Sequence, residues 1–132
     1  MEAKVTWQKE GLRFVGHIDG SPDVIMDGEN GPTPMELVLM ALGGCTGMDV
    51  ISILQKMRQD VKDFEVNLSA ERAQEHPKIF TRINLEYVVY GSNIEENSLK
   101  RAIELSQEKY CGVGNMLKKA AEITYSWKIV NS

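Results

Sequence analysis

The sequence predicts an α+β fold, with mainly antiparallel sheets built around one long central helix. Three observations predict it. Short runs near both ends alternate apolar and polar residues, the period of a half-buried strand. One stretch in the first half opens with a helix-start signature and is apolar on every face. The segments follow the order three strands, helix, two strands, two helices, strand, which suits hairpin-joined sheets with packed helices.

The first strands are short. Val5 and Trp7 alternate, and Lys9-Glu10-Gly11 signals a turn. Leu12, Phe14, Gly16 and Ile18 then alternate with Arg13, Val15 and His17, predicting a half-buried strand. After the turn Asp19-Gly20-Ser21-Pro22, Val24-Ile25-Met26 reads as a third strand, broken off by Asp27-Gly28-Glu29-Asn30-Gly31.

Thr33, Pro34 and Glu36 form a capping box with proline at the first helical position. The helix should run from Pro34 to Met57 or Arg58. Glu36 is the only charge between Met35 and Cys45, so this half should be buried. Asp60 to Ala70 alternates again, with Phe64, Val66 and Leu68 on one face. Ile79 to Tyr90 is a long strand with Ile79, Ile83, Leu85, Tyr87 and Val89 in one parity. Ile94 to Lys109 reads as a helix with Leu99, Ala102, Ile103 and Leu105 as its core stripe. Tyr110-Cys111-Gly112-Val113-Gly114 interrupts it, Asn115 to Ala121 resumes a helical turn or two, and Ile123, Tyr125, Trp127 and Ile129 form a last strand. One chain with a single sheet can hardly cover a helix that is apolar all round, so a homodimer is expected.

At 132 residues the chain is expected to be one domain, residues 1–132. Its 42% hydrophobic and 26% charged residues exclude a disordered composition. A net charge of −4 argues against nucleic-acid partners. No run reaches about 18 uninterrupted apolar residues, so no membrane span is expected. The opening MEAKVTWQKEGLRF lacks the apolar core of a signal peptide, which points to a cytoplasmic protein. Cys45 and Cys111 are far apart in sequence, and in a reducing compartment a permanent staple is not expected. With only His17 and His76 beside them, and no CxxC or HxxxH spacing, no metal site or cofactor is expected.

The residues that could carry chemistry are few. Cys45 lies in Gly43-Gly44-Cys45-Thr46-Gly47, and three glycines there cost roughly 1 kcal/mol each in helix propensity. Either a neighbouring chain segment or a substrate must approach closely. Cys45 itself reads as a small buried residue at a tight crossing, the commonest fate of a free cysteine, with a reactive thiol as the other reading. Cys111 sits at a helix break, where a following helical turn could favour a thiolate; a structural role is the other reading. Asp49, one turn after Cys45, would raise the cysteine's pKa unless a cation pairs with it. Arg13 is the most plausible cationic helper, with a solvated strand arginine as the alternative.

Several segments together carry a resemblance. Thr33-Pro34-Met35-Glu36-Leu37, Ala41-Leu42-Gly43-Gly44-Cys45-Thr46, Ile51-Ser52-Ile53-Leu54-Gln55-Lys56 and Glu108-Lys109-Tyr110-Cys111 resemble the OsmC/Ohr family of osmotically induced and organic-hydroperoxide-resistance proteins, and within it the YhfA-like branch. The resemblance covers essentially the whole chain. It implies an intertwined homodimer with sheets of both chains wrapped around paired central helices. It also implies thiol peroxidase chemistry, with Cys45 at the peroxidatic position and Cys111 at the resolving one, a small-molecule hydroperoxide as substrate and a dithiol as reductant. In that pattern an arginine stabilises the thiolate and a glutamate directly after the helix-opening proline holds the arginine. Here Met35 stands in that place and Glu36 comes one residue later, about 100° around the helix. The loop from Asp23 to Thr33 has no arginine or lysine, which leaves Arg13 as the candidate and implies an arginine without its usual anchor. The alternative function is an OsmC-fold dimer that binds small molecules or senses redox state through its thiols without efficient peroxide chemistry. A purely structural dimer would leave both cysteine motifs unexplained.

Overall fold

A computed structural model describes residues 1–132 as six strands and three α-helices, in the expected order. The chain forms two compact units, residues 1–38 and 39–132, with the boundary in the opening turns of the long helix.

The first unit holds β1 (Lys4–Trp7), β2 (Phe14–His17) and β3 (Val24–Met26) in a three-stranded antiparallel sheet of order β1-β2-β3. Its register pairs Val5 with Gly16, Trp7 with Phe14 and Phe14 with Met26. The expected half-burial does not hold within the chain. Leu12 is 84% exposed, Val5, Trp7 and Ile18 are each more than half exposed, and Phe14 and Val24 are also open. The unit ends in the capping box: Thr33 N–H donates to Glu36 Oε1 at 2.9 Å, and Glu36 N–H to Thr33 Oγ1 at 3.2 Å. This fixes the start of α1 (Pro34–Lys56).

The second unit contains most of α1, then β4 (Asp60–Arg72), β5 (Phe80–Ser92), α2 (Glu96–Leu105), a π turn over Ser106–Tyr110, α3 (Gly112–Leu117) and β6 (Glu122–Asn131). Its sheet order is β4-β5-β6. β4 and β5 pair antiparallel, from Asp60 opposite Ser92 to Arg72 opposite Phe80. β6 instead runs parallel to β5, because the helical crossover carries the chain back to the end where β5 began. β5 is therefore central, and Ile83, Leu85, Tyr87 and Val89 have no exposed surface. Ile79, expected in this strand, lies outside it and is 46% exposed. Leu99, Ala102 and Ile103 complete the core from α2.

On α1, Leu42, Thr46, Val50 and Leu54 recur every four residues and are buried. The opposite side is not. Met40 is 53% and Met48 77% exposed, and Gly44 between them is open. Burial all round the first half of the helix is thus not achieved by one chain. By length and composition α1 could cross a membrane, but its buried stripe packs on protein, and Thr46 within that stripe is hydrogen-bonded to β5. That is the behaviour of a core helix.

Candidate functional site

The glycines around Cys45 divide into two kinds. A Cβ on Gly43 would lie 2.7 Å from Leu68 Cδ1, and one on Gly47 would meet Phe64 and Val66 at 3.6 and 3.7 Å. Gly43 thus lets the helix lie close against β4, while Gly44 faces open space. Met40, Gly44, Met48 and the β4 residues beside them line an open groove of about 540 Å³.

Cys45, half-buried on α1, and Cys111, fully buried, are both free thiols. The turn that carries Cys111 packs against the helix that carries Cys45, although the two are far apart in sequence: Ser106 Oγ is 2.7 Å from Thr46 Oγ1, and a Cβ on Gly114 would lie 3.4 Å from Leu42 Cδ1. Cys111 is placed by the π turn: its N–H donates to Ser106 O at 2.8 Å, one residue further back than an α-helical bond. Its side chain then caps α3, accepting from Gly114 N–H at 3.2 Å. Gly114 cannot be larger without crowding, since a Cβ there would sit 3.1 Å from the sulfur. Asn115 Nδ2 donates to Cys111 O at 2.8 Å and locks the turn.

The amide at Gly114 does point at the sulfur, but it does not make Cys111 a ready thiolate. Burial pushes this thiol up to about 11; the Gly114 N–H opposes, and the neighbouring Cys45 thiol and Asp49 carboxylate add to the rise. Desolvation outweighs one amide dipole from a six-residue helix. Asp49 makes no ion pair with a cation; it accepts a hydrogen bond from Ser106 Oγ at 2.9 Å. A cleft of about 420 Å³ opens beside it, lined by Asp49, Ser52, Ile53, Lys56, Leu105 and Tyr110.

The other two candidate residues belong to the first unit. Glu36 is engaged in the capping box, which lowers its pKa through the Thr33 N–H and hydroxyl. Arg13 is not left without an anchor, despite Met35. Its Nε donates to Asp27 Oδ2 at 3.0 Å and its Nη1 to Glu10 Oε2 at 3.3 Å. Asp27 was not singled out from the sequence. It opens the turn Asp27-Gly28-Glu29-Asn30-Gly31 and accepts from the backbone N–H groups of Glu29, Asn30 and Gly31 at 2.8, 2.8 and 3.0 Å. An aspartate opening a glycine-rich turn is the signal that could have found it. Thr46, Tyr87 and Ser106 form a buried polar set that no local pattern in the sequence announces, because their side chains meet only in three dimensions.

Residues 27–126 match the family described as OsmC-like protein. The chain is 50% identical to Protein YhfA of Escherichia coli K12 over 98% of both chains. It is similar to the crystal structure of a hypothetical protein from Aquifex aeolicus VF5, with 35% identity, a TM-score of 0.91 and coverage of 99% and 96%. The organic hydroperoxide resistance protein OhrB of Bacillus subtilis shares the fold at 16% identity, with a TM-score of 0.64 over 97% and 98% of the two chains. The family match and the full-length likeness to YhfA agree, and the chain belongs to the OsmC-like family.

Proposed function

We propose that this protein is a thiol peroxidase that reduces organic hydroperoxides. Two free thiols support this reading above all: Cys45 on α1, and Cys111 on a turn that the Ser106–Thr46 hydrogen bond holds against that helix. The Cys45 sulfur attacks the terminal peroxide oxygen. A sulfur–oxygen bond forms, the oxygen–oxygen bond breaks, and an alcohol leaves. Cys111 then attacks the Cys45 sulfenic acid, a disulfide forms and water leaves; a dithiol reductant returns both thiols. The protonated state of Cys111 suits its place as the second thiol, since it does not compete for the first reaction. Neighbours of the same fold bear the name organic hydroperoxide resistance protein, which supports the substrate class.

The working unit is a homodimer in the cytoplasm. A second copy would cover Met40, Gly44 and Met48 on α1 and the open apolar face of the β1–β3 sheet, which one chain leaves bare. Sedimentation at micromolar concentration tests the dimer. One equivalent of cumene hydroperoxide added to the reduced protein should consume both thiols and give one intramolecular disulfide. A Cys45→Ser variant should consume no peroxide. Oxidation that proceeds equally well in that variant would sink the reading.

A further inference from the structure

The second unit buries a chain of hydrogen bonds that the peroxide chemistry leaves unused. Gln107 Nε2 donates to Tyr87 OH at 2.6 Å. Tyr87 OH and Thr46 Oγ1 are 2.7 Å apart, as are Thr46 Oγ1 and Ser106 Oγ, and Ser106 Oγ donates to Asp49 Oδ2 at 2.9 Å. The direction is fixed at both ends. An amide nitrogen only donates, a carboxylate only accepts, and each hydroxyl has one proton. The protons therefore point from Gln107 through Tyr87, Thr46 and Ser106 to Asp49. Burial raises the Tyr87 pKa, which keeps its phenol a donor.

Thr46, Tyr87 and Ser106 have no exposed surface. Buried polar groups cost stability unless every one is satisfied, and an apolar set of similar shape would fill this space without that demand. What such a set would lack is a directional link. Ser106 opens the π turn, and its carbonyl takes the N–H of Cys111. Its hydroxyl is held by Thr46, the residue directly after Cys45, and by Asp49, one turn further along the same helix. A single residue thus joins the backbone that carries Cys111 to the helix that carries Cys45.

We propose that Ser106, held by Thr46 and Asp49 with Tyr87 in turn holding Thr46, is a positioning residue that sets the approach of Cys111 to Cys45 for disulfide closure. The inference rests on reading the two cysteines as a redox pair. A disulfide needs its Cβ atoms about 3.5–4.5 Å apart, and a misplacement of about 1 Å can cost on the order of 10²-fold in rate.

The test compares Ser106→Ala, Thr46→Val and Thr46→Ser with the wild type in two assays. The first is thiol–disulfide exchange against dithiothreitol, which gives the effective concentration of the two thiols and needs no peroxide. The second is a single turnover with cumene hydroperoxide in which dimedone traps the Cys45 sulfenic acid. Ser106→Ala and Thr46→Val should lower the effective concentration about tenfold or more. Thr46→Ser, which keeps the hydroxyl, should stay near wild type. In the second assay sulfenic acid should form at the wild-type rate in all variants and accumulate in the two that lack a hydroxyl. Loss of sulfenic acid formation in the wild type, with the exchange result as expected, would end the peroxidase reading and leave the positioning role standing. Wild-type effective concentration in both hydroxyl-free variants would overturn the proposal, as would a Thr46→Ser variant impaired as much as Thr46→Val. If Ser106→Ala does not fold, the two Thr46 variants decide alone.

Discussion

Replacing Gly43 by alanine sets helix propensity against packing. Alanine in a helix interior is better than glycine by about 0.8–1.0 kcal/mol. Against that, the new methyl would lie 2.7 Å from Leu68 Cδ1, with Cδ2 and Cγ at 3.6 and 3.7 Å. Leu68 is half-buried on β4 and must leave its rotamer or push the strand away. Overpacking of this kind costs about 1–3 kcal/mol. The single variant should therefore range from nearly neutral to about 2 kcal/mol less stable. The decisive measurement is the cycle with Leu68→Ala, followed by urea unfolding at one fixed protein concentration. In the Leu68→Ala background the obstruction is gone, and Gly43→Ala should stabilise by about 1 kcal/mol. The two changes should couple favourably by about 1–3 kcal/mol. Additivity within about 0.5 kcal/mol would mean that the glycine does not serve close packing on β4, and the argument would be refuted.

Two further outcomes follow from the exposed helix face and the buried thiol. Met40→Glu with Met48→Glu changes only open positions, so the fold should persist while sedimentation shifts from dimer to monomer; an unchanged dimer would place the interface elsewhere. Cys111 has a raised thiol pKa, so its contribution to stability is full below about 9, the ordinary value, and is lost as pH rises to about 11. The change is on the order of 1–3 kcal/mol, and Cys111→Ala should flatten the decline of the melting temperature across that window. The same slope in both proteins would show that burial is not holding this thiol protonated.

The fold was legible because its signals are local. The Thr33–Glu36 capping box, the alternation through Phe64, Val66 and Leu68, and the parity of Ile83 to Val89 each depend on neighbours a few residues away. What local patterning left open is decided by tertiary contacts. The direction of β6 follows from the crossover geometry, which alternation does not encode. The π turn shifts Cys111 by one hydrogen bond, and no residue type announces it. Of the two readings of Cys111, a thiolate favoured by the following helical turn or a structural thiol, burial decides against the thiolate, and burial is a quantity that only packing supplies. Cys45 and Cys111 were recognisable as candidates because glycines crowd both of them. Their supporting hydroxyls come from α1, β5 and the π turn, and a threonine, a tyrosine and a serine so far apart carry no joint signal in sequence.

Arg13 is anchored, though not by the glutamate that the resemblance implies. The resemblance implies a glutamate behind the arginine, and Met35 occupies that place while Glu36 closes the helix cap. Within the first unit Arg13 is paired instead with Asp27. Its side chain is 7% exposed, and the Glu29 N–H, followed by those of Asn30 and Gly31 and by Arg13, holds its carboxyl well below the usual range. A carboxylate fixed by three backbone donors is already ordered before it meets the guanidinium, so little further entropy is lost in forming the pair. Asp27→Asn keeps an oxygen for the backbone turn and removes the charge that Arg13 faces. If Arg13 assists the Cys45 thiolate, this variant should slow hydroperoxide reduction by about tenfold, the size expected for losing one charge-assisted contact. Glu36→Gln retains a side chain able to close the cap and should leave the rate within about twofold. Both rates are measured under single-turnover conditions with cumene hydroperoxide. A slow Glu36→Gln beside a normal Asp27→Asn would return the anchoring role to the helix start and remove Asp27 from the account.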